Sequence, residues 1–443
     1  MSEIFNKIKK FNKININETK IDINQKPSCL CAIYATKEEL REAEENCKKA
    51  LEEDPKYADS YICLGRVYAT QKRYKEAEEN FKKALLLNPD YLDAKFYLGE
   101  VYVHLGKCIE AELELKNVLE KNPYYVNAYI ALGKLYFNME KNEEAIFNFK
   151  KALSLKPDYA DVHFMLGGVY VNMGNYKIAE SEHKKAIKIN PMYADANIGL
   201  GWIYYLQGRF KDAEQQFNKS INLKPDEASI YSGLGWICYL TERYEEAESH
   251  FSKAIKIKNN DIENYVGLGW TYYNLFMLGE AQIESAEKAF KNALNINSNH
   301  ADAHNGLGWV YYHQDNLKEA EIHFLKTVEL NPDMPQPHLG LGWVYYRWYS
   351  YKNDRLKEAE SEFKKSIEKQ EKNGPAYIGL GWVYYREGEY KEAEKSFLKA
   401  KSISPNDPEV YIGLGSLYEK TGKKSKALSA YNKARKLNPN TVM

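Results

Sequence analysis

A leucine–glycine dipeptide recurs along most of this 443-residue chain, mainly at intervals of 34 residues. The glycines that mark it are Gly65, Gly99, Gly133, Gly167, Gly201, Gly235, Gly269, Gly308, Gly342, Gly381 and Gly415. An earlier copy, beginning near Asn24, has Cys31 in place of the marker glycine, so twelve copies run toward the C-terminus. A fixed period of this length predicts one supersecondary unit stacked many times, rather than several globular domains.

Each copy encodes two short helices. Counting from Gly65, an alanine follows at Ala77, an aromatic residue at Phe81, a second alanine at Ala84 and a proline at Pro89. Apolar residues recur at helical spacing before and after a polar link, which predicts two helices with one buried face each. The glycine and the first alanine are small because the paired helices must approach closely, and the proline prevents the second helix from continuing.

This pattern resembles the tetratricopeptide repeat family, and the resemblance covers residues 24–441. It implies an all-α fold, a right-handed superhelical solenoid of antiparallel helix pairs, with a concave groove that usually holds a peptide or a partner helix. The fold alone says little about function. Two copies carry five extra residues between their helices, and we expect residues 276–282 and 348–353 to protrude as longer turns.

The pattern predicts four segments: an N-terminal arm at 1–23, repeats 1–5 at 24–193, repeats 6–11 at 194–407 and a capping repeat at 408–443. The arm alternates Ile or Phe with Lys and Asn, and a frayed helix, a docking arm and disorder all remain open. The last repeat has a polar, basic second helix, which favours a role as its own cap.

Charge and hydropathy exclude several classes of function. Sixty-two basic and sixty-two acidic side chains cancel, so no global field favours nucleic acid or an anionic membrane. No run of 18 apolar residues occurs, and the N-terminus lacks the apolar core of a secretion signal. We therefore expect a cytoplasmic protein that neither binds nucleic acid nor inserts into a membrane.

The sequence predicts no catalytic residue, no metal site and no cofactor. The recurrent Gly-Leu-Gly lies inside a helix, where backbone amides already have partners and cannot hold a phosphate. His300 and His304 have the spacing of a two-ligand helix face but lack the accompanying glutamate of a metalloprotease, so a packing role is favoured. Cys29-x-Cys31 has no second pair at a ligand spacing.

Repeats 6–11 share a feature that the earlier repeats lack: a tryptophan directly after the marker glycine and a tyrosine three residues later, on the same helix face. These residues are Trp202, Trp236, Trp270, Trp309, Trp343 and Trp382, with Tyr205, Tyr239, Tyr273, Tyr312, Tyr346 and Tyr385. In repeats 2–5 the tryptophan position holds Arg66, Glu100, Lys134 and Gly168, so helix pairing does not require an apolar residue there. The family resemblance implies that this position lines the concave surface.

A second glycine, two residues before the marker, accompanies every one of these tryptophans. A glycine inside a helix costs about 1 kcal/mol relative to alanine, so something specific must offset it. Helical side chains lean toward the N-terminus, and we expect each indole to lie nearly flat over this glycine. The six glycines are Gly199, Gly233, Gly267, Gly306, Gly340 and Gly379.

Two interpretations of the aromatic stripe remain open, as does a mixture of both. The rings either stack on the neighbouring repeat and stiffen the array, or form a ladder open to a ligand, since large exposed aromatic patches are uncommon without a partner. Asn274, His313, Arg347 and Arg386 border the stripe, and the two arginines place positive charge near one end.

Our leading hypothesis is a non-enzymatic scaffold that binds a partner protein or an extended peptide carrying Pro, Arg or Lys along this ladder. The alternatives are a glycan-binding protein using the same rings and a scaffold that associates with further copies of itself. The lysines and asparagines of the carboxylate-clamp members of the family are absent from the corresponding sites, which disfavours binding of a chain-terminal carboxylate.

Overall fold

The computed structural model describes residues 36–349 and 355–438, and every regular element within these ranges is an α-helix. The helices are α1 (Lys37–Glu53), α2 (Ala58–Thr70), α3 (Tyr74–Leu87), α4 (Leu92–His104), α5 (Cys108–Lys121), α6 (Val126–Asn138), α7 (Asn142–Leu155), α8 (Ala160–Asn172), α9 (Tyr176–Ile189), α10 (Ala194–Leu206), α11 (Phe210–Leu223), α12 (Ala228–Leu240), α13 (Tyr244–Ile257), α14 (Ile262–Leu278), α15 (Ile283–Ile296), α16 (Ala301–His313), α17 (Leu317–Leu330), α18 (Pro335–Tyr349), α19 (Leu356–Lys369), α20 (Gly374–Glu387), α21 (Tyr390–Ile403), α22 (Pro408–Lys420) and α23 (Lys424–Leu437). None of these helices is long and apolar enough to cross a bilayer. The predicted arm at 1–23 and the first helix of repeat 1 lie outside the described residues.

The helices form eleven complete pairs, from α2 with α3 to α22 with α23, and α1 is the second helix of repeat 1. Helices that follow one another in sequence pack together from α1 to α11 and from α13 to α23, most extensively within a pair, which confirms the predicted all-α array of helix pairs. The chain divides into two compact units at Gly233 and Leu234, inside α12. We call residues up to 233 the N-terminal half and residues from 234 the C-terminal half. The predicted boundaries at 193/194 and 407/408 rest on the tryptophan pattern and stay predictions.

First helices also touch one another in the C-terminal half. α14, α16, α18, α20 and α22 contact in series, whereas no two successive second helices among the described residues meet as extensively. Side chains on the shared side of the first helices can therefore form one continuous surface within this half.

In most repeats one aromatic ring of the second helix forms the core, and in repeat 3 Leu115 takes its place. Phe81 and its flanking Ala77 and Ala84 are fully buried on α3. A Cβ added at the marker Gly65 would lie 2.7 Å from Cε1 of Phe81, closer than packed atoms allow. The marker is glycine because the ring of the paired helix occupies that space, as the predicted close approach requires.

The first five-residue insertion lengthens a helix more than a turn. α14 has 17 residues where α16 has 13, and Gly279, with a φ of 82°, ends it in the left-handed conformation. The prediction of a longer turn at 276–282 is therefore wrong for its first three residues, because four inserted residues complete another helical turn. At the second insertion α18 continues to Tyr349, and residues 350–354 lie outside the described ranges.

Candidate functional site

The tryptophans differ in exposure along the chain, and the first two are more buried than the four that follow. In the N-terminal half, Trp202 is 8% exposed and its indole nitrogen is buried. In the C-terminal half Trp236 is also 8% exposed, and the other four are partly buried. We call the five tryptophans of the C-terminal half the indole row; they are Trp236, Trp270, Trp309, Trp343 and Trp382.

Each indole of the row packs against two rings of its own repeat. The centroids of Trp309 and Phe324 are 5.3 Å apart with an interplanar angle of 77°, and those of Trp309 and Tyr312 are 5.8 Å apart at 81°. The other four repeats have the same edge-to-face arrangement, with the tyrosine at 5.6–5.8 Å and the phenylalanine at 5.2–5.5 Å. The row is a mixture of core packing and surface, because each ring is anchored on one side and keeps part of its area open.

The glycine two residues before the marker does not accommodate the indole. A Cβ added at Gly267 would lie 2.5 Å from Cζ of Phe251, on the second helix of the preceding repeat. Phe251 also contacts the marker Gly235, where an added Cβ would lie 2.8 Å from the ring. The prediction that each indole lies flat over this glycine is therefore wrong, because a phenylalanine ring sits between two successive first helices and both must lack a side chain. The same enclosure surrounds Phe290, Phe324, Phe363 and Phe397.

A polar residue five positions after the marker reaches back to the tyrosine of the preceding repeat. Nδ2 of Asn274 donates to the Tyr239 hydroxyl at 3.2 Å, and the Tyr273 hydroxyl lies 3.0 Å from Nε2 of His313. These contacts tie consecutive first helices together. The sequence predicts that Asn274 and His313 border the stripe but does not predict their contacts with these tyrosines. Their constant position one turn after the tryptophan is the available signal.

The two arginines make the corresponding contacts further along. Arg347 lies over the ring of Tyr312 at 5.0 Å, donates to its backbone carbonyl at 2.9 Å and pairs with Asp315 at 3.3 Å. Nε of Arg386 donates to the Tyr346 hydroxyl at 3.1 Å. The charge of Arg347 is therefore partly compensated, and Arg386 is the more exposed of the two.

The middle of the indole row is electrically neutral. Burial raises the pKa of Tyr239, Tyr273 and Tyr312, so these hydroxyls stay protonated at neutral pH. Burial, reinforced by the nearby charge of Arg347, lowers the pKa of His313. With a neutral imidazole, Nε2 of His313 can accept the proton of the Tyr273 hydroxyl.

The histidine pair at 300 and 304 does not converge on one point. His300 lies 3.3 Å from Glu263, whereas Nδ1 of His304 lies 2.8 Å from Nδ1 of His323. Within the two described ranges, no three His, Cys, Asp or Glu side chains are grouped so that they could hold a metal ion.

Sequence models of the tetratricopeptide repeat match seven stretches that together cover more than half of the chain. These are residues 58–91, 133–174, 165–228, 228–261, 278–335, 381–422 and 408–441. Among curated proteins, none matches the chain significantly.

Several solved structures are similar. The crystal structure of the APC/C hetero-tetramer Cut9-Hcn1 is 14% identical over 91% of this chain and 97% of that chain, with a TM-score of 0.48. A tetratricopeptide repeat protein from Parabacteroides merdae is 20% identical over 57% and 98% of the two chains, with a TM-score of 0.46. MamA is 27% identical over 37% and 95%, with a TM-score of 0.34.

Proposed function

We propose that this chain, which belongs to the tetratricopeptide repeat family, binds an extended segment of a partner protein along the indole row of its C-terminal half. Tetratricopeptide repeats support protein-interaction scaffolds and are typically non-catalytic. The proposal includes the absence of catalysis and a cytoplasmic location, where such a scaffold would meet its partner.

The observation that carries the proposal is that the core does not need the indoles. Phe81 and Phe149 are fully buried although the tryptophan position of their repeats holds Arg66 and Lys134. Five successive tryptophans in the C-terminal half therefore add something beyond covering the core. Tryptophan, tyrosine and arginine are the residues most enriched where binding energy concentrates in interfaces, and the row combines all three.

A peptide fits the row better than a sugar does. Stacking of a sugar ring requires an open aromatic face, whereas every indole of the row is held edge-to-face by a phenylalanine and a tyrosine and none is fully exposed. The side chains and main chain of an extended peptide can reach partly open rings and the polar groups between them.

The test compares two variants of the full chain on arrays of mixed 15-residue peptides and of glycans. The first is the double variant Trp309→Ala with Trp343→Ala, in the middle of the row. The matched control is Trp348→Ala, which removes an indole of α18 outside the row, stacked on Tyr345 at 6.1 Å and under Arg355. Circular dichroism establishes that both variants keep their helix content.

We expect the unmodified chain and the control to bind a shared set of peptides and the double variant to lose them. A chain that binds glycans and no peptides would overturn the proposal in favour of the sugar-binding alternative. Equal peptide binding by both variants would show that the row does not contribute to peptide binding. A mass that increases with concentration in light scattering, abolished by the double variant, would identify a further copy of this chain as the partner instead.

A further inference from the structure

The indole N–H groups are the unsatisfied polar groups of the row. Among the described residues, no hydrogen-bond acceptor lies within reach of the indole nitrogen of Trp270, Trp309, Trp343 or Trp382, nor of Trp236. The nitrogen of Trp202, in the N-terminal half, is buried and unpaired, whereas those of the row reach solvent. Each repeat of the row thus presents one donor that water satisfies until something covers it.

Three of the five neighbouring tyrosine hydroxyls are already engaged. The Tyr239 hydroxyl accepts from Asn274, the Tyr273 hydroxyl pairs with His313, and the Tyr346 hydroxyl accepts from Arg386. An occupant that covers the row must therefore supply an acceptor for each indole, because a buried donor left unpaired weakens binding about 5- to 150-fold. A purely hydrocarbon surface would incur that cost at every repeat.

We infer that the segment held by the row is proline-rich and adopts a polyproline II conformation, an inference that rests on the proposed function. Such a segment offers backbone carbonyl acceptors at regular intervals and brings no N–H donors of its own from its prolines. Its pyrrolidine rings pack on aromatic side chains, and its preformed conformation loses little entropy on binding.

The charges of the row fit this occupant. Arg347 is paired with Asp315, and burial keeps the imidazole of His313 neutral, so the middle of the row attracts neither acidic nor basic side chains. Arg386 is the more exposed arginine and lies in the last repeat of the row. An uncharged segment, with an acidic residue tolerated only near Arg386, matches this distribution.

The experiment titrates full-length protein, labelled with ¹⁵N at its tryptophan indoles, with a decaproline peptide. A Gly-Ser peptide of the same length is the control ligand. The variant Trp309→Phe with Trp343→Phe keeps two aromatic rings and removes their N–H groups, and Trp348→Phe makes a matched change outside the row.

We expect decaproline to shift the indole signals of the row and not that of Trp348, with the Gly-Ser peptide without effect. Each Trp→Phe change in the row should weaken binding about 5-fold, the value of one neutral hydrogen bond, and Trp348→Phe should leave it unchanged. If the double variant fails to fold, the indole shifts of the unmodified protein still decide.

Two results would overturn the inference. One is decaproline binding that the Phe variants do not weaken, and the other is no decaproline binding at all. If peptides from the array still require the row, the proposed function survives while the proline-rich occupant does not. If neither the array peptides nor decaproline bind, both fall.

Discussion

Repeats 2–4 of the N-terminal half place Arg66, Glu100 and Lys134 where the C-terminal half places its indoles. No side chain of the three forms a hydrogen bond or ion pair within the described residues, and that of Arg66 lies over the ring of Tyr97 at 5.0 Å. The same core of helix pairs therefore carries charged side chains in one half and tryptophans in the other. Folding does not specify this position, which leaves it available for recognition.

Repeats 2–4 also differ from the C-terminal half in how tightly the core side chain is enclosed. In the N-terminal half Phe81 meets the marker Gly65 on one side and the ring of Tyr97 on the other, with centroids 5.8 Å apart. In the C-terminal half each ring meets glycine on both sides and an indole at its edge. We interpret the second glycine of repeats 7–12 as a response to the tryptophan of the preceding repeat, whose edge-on contact holds the ring against the next first helix. Gly199 is the exception, since it faces His183 of a repeat that has Gly168 at the tryptophan position.

The largest loss of stability should come from giving a repeat of the C-terminal half the tyrosine that repeat 3 has beside the core ring. Gly267→Tyr introduces the residue that the N-terminal half has at Tyr97, into space that the Phe251 ring fills. We expect a loss of about 3 kcal/mol in the free energy of unfolding, at the upper end for an overpacked core, measured by urea unfolding.

Adding Trp236→Arg, the counterpart of Arg66, tests the interpretation directly. If the indole holds Phe251 in place, its removal should let the ring shift and recover part of the stability lost in Gly267→Tyr. If Gly267→Tyr lowers the free energy of unfolding equally with and without Trp236→Arg, the glycine does not depend on the tryptophan and our explanation of their pairing is wrong.

A histidine replaces the core phenylalanine at one place in the N-terminal half. His183 is fully buried between Gly167 and Gly199, its Nε2 has no partner, and burial lowers its pKa to about 4. The unfolded chain, with a histidine pKa of about 6.5, binds the proton first as the pH falls. The free energy of unfolding should therefore decline as the pH falls below about 6.5. The total loss due to His183 should be about 2–3 kcal/mol and be reached near pH 4.

His183→Phe should abolish this loss. In urea titrations, the free energy of unfolding of the variant should therefore increase relative to that of the unmodified chain as the pH falls from 7.5 to 4. The reciprocal change Phe217→His, at a ring enclosed by Gly201 and Gly233, should create the same acid sensitivity in the next repeat. Parallel pH profiles for His183→Phe and the unmodified chain would contradict the assignment.

A smaller effect should follow from replacing an indole of the row. Trp309→Arg gives repeat 9 the residue of repeat 2 and removes the edge contacts with Phe324 and Tyr312. The arginine stem retains part of the apolar contact, so we expect a cost of about 1–2 kcal/mol. Phe324→Ala, which empties the core, should cost about 3–5 kcal/mol and serves as the reference. Equal costs would mean that the indole belongs to the core.

The repeat register and the helix pairs were predictable because they depend on local periodicity. The spacing from Gly65 to Ala77 and Phe81 determines which faces of two adjoining helices meet, and no distant residue can change it. The end of α14 was harder to predict, since four inserted residues extend a helix as readily as a loop. Gly279 was the residue that marked where that helix stops.

The orientation of the indoles was not predictable from their own helices. A ring on one helix takes its direction from the phenylalanine of the paired helix, and that phenylalanine is positioned in turn by the next repeat. The sequence did contain a clue in repeat 12, which has Gly413 but Ser416 in place of tryptophan. Gly413 faces Phe397, which packs against Trp382 of the preceding repeat, so the glycine belongs with the earlier tryptophan.

The smallest change in stability should come from Glu100, which holds the tryptophan position in repeat 3. Burial outweighs the nearby Lys134 and Arg66 and raises the pKa of Glu100 to about 7, against 4.5 in the unfolded chain. The folded state therefore takes up the proton first as the pH falls. The cost of Glu100 to stability begins near pH 4.5, grows as the pH rises and is complete above about pH 7. Glu100→Gln should be about 1 kcal/mol more stable at pH 8, since partial exposure screens the charge, and equal to the unmodified chain at pH 4.5. A variant destabilised at pH 8 would show that the two cations need the carboxylate.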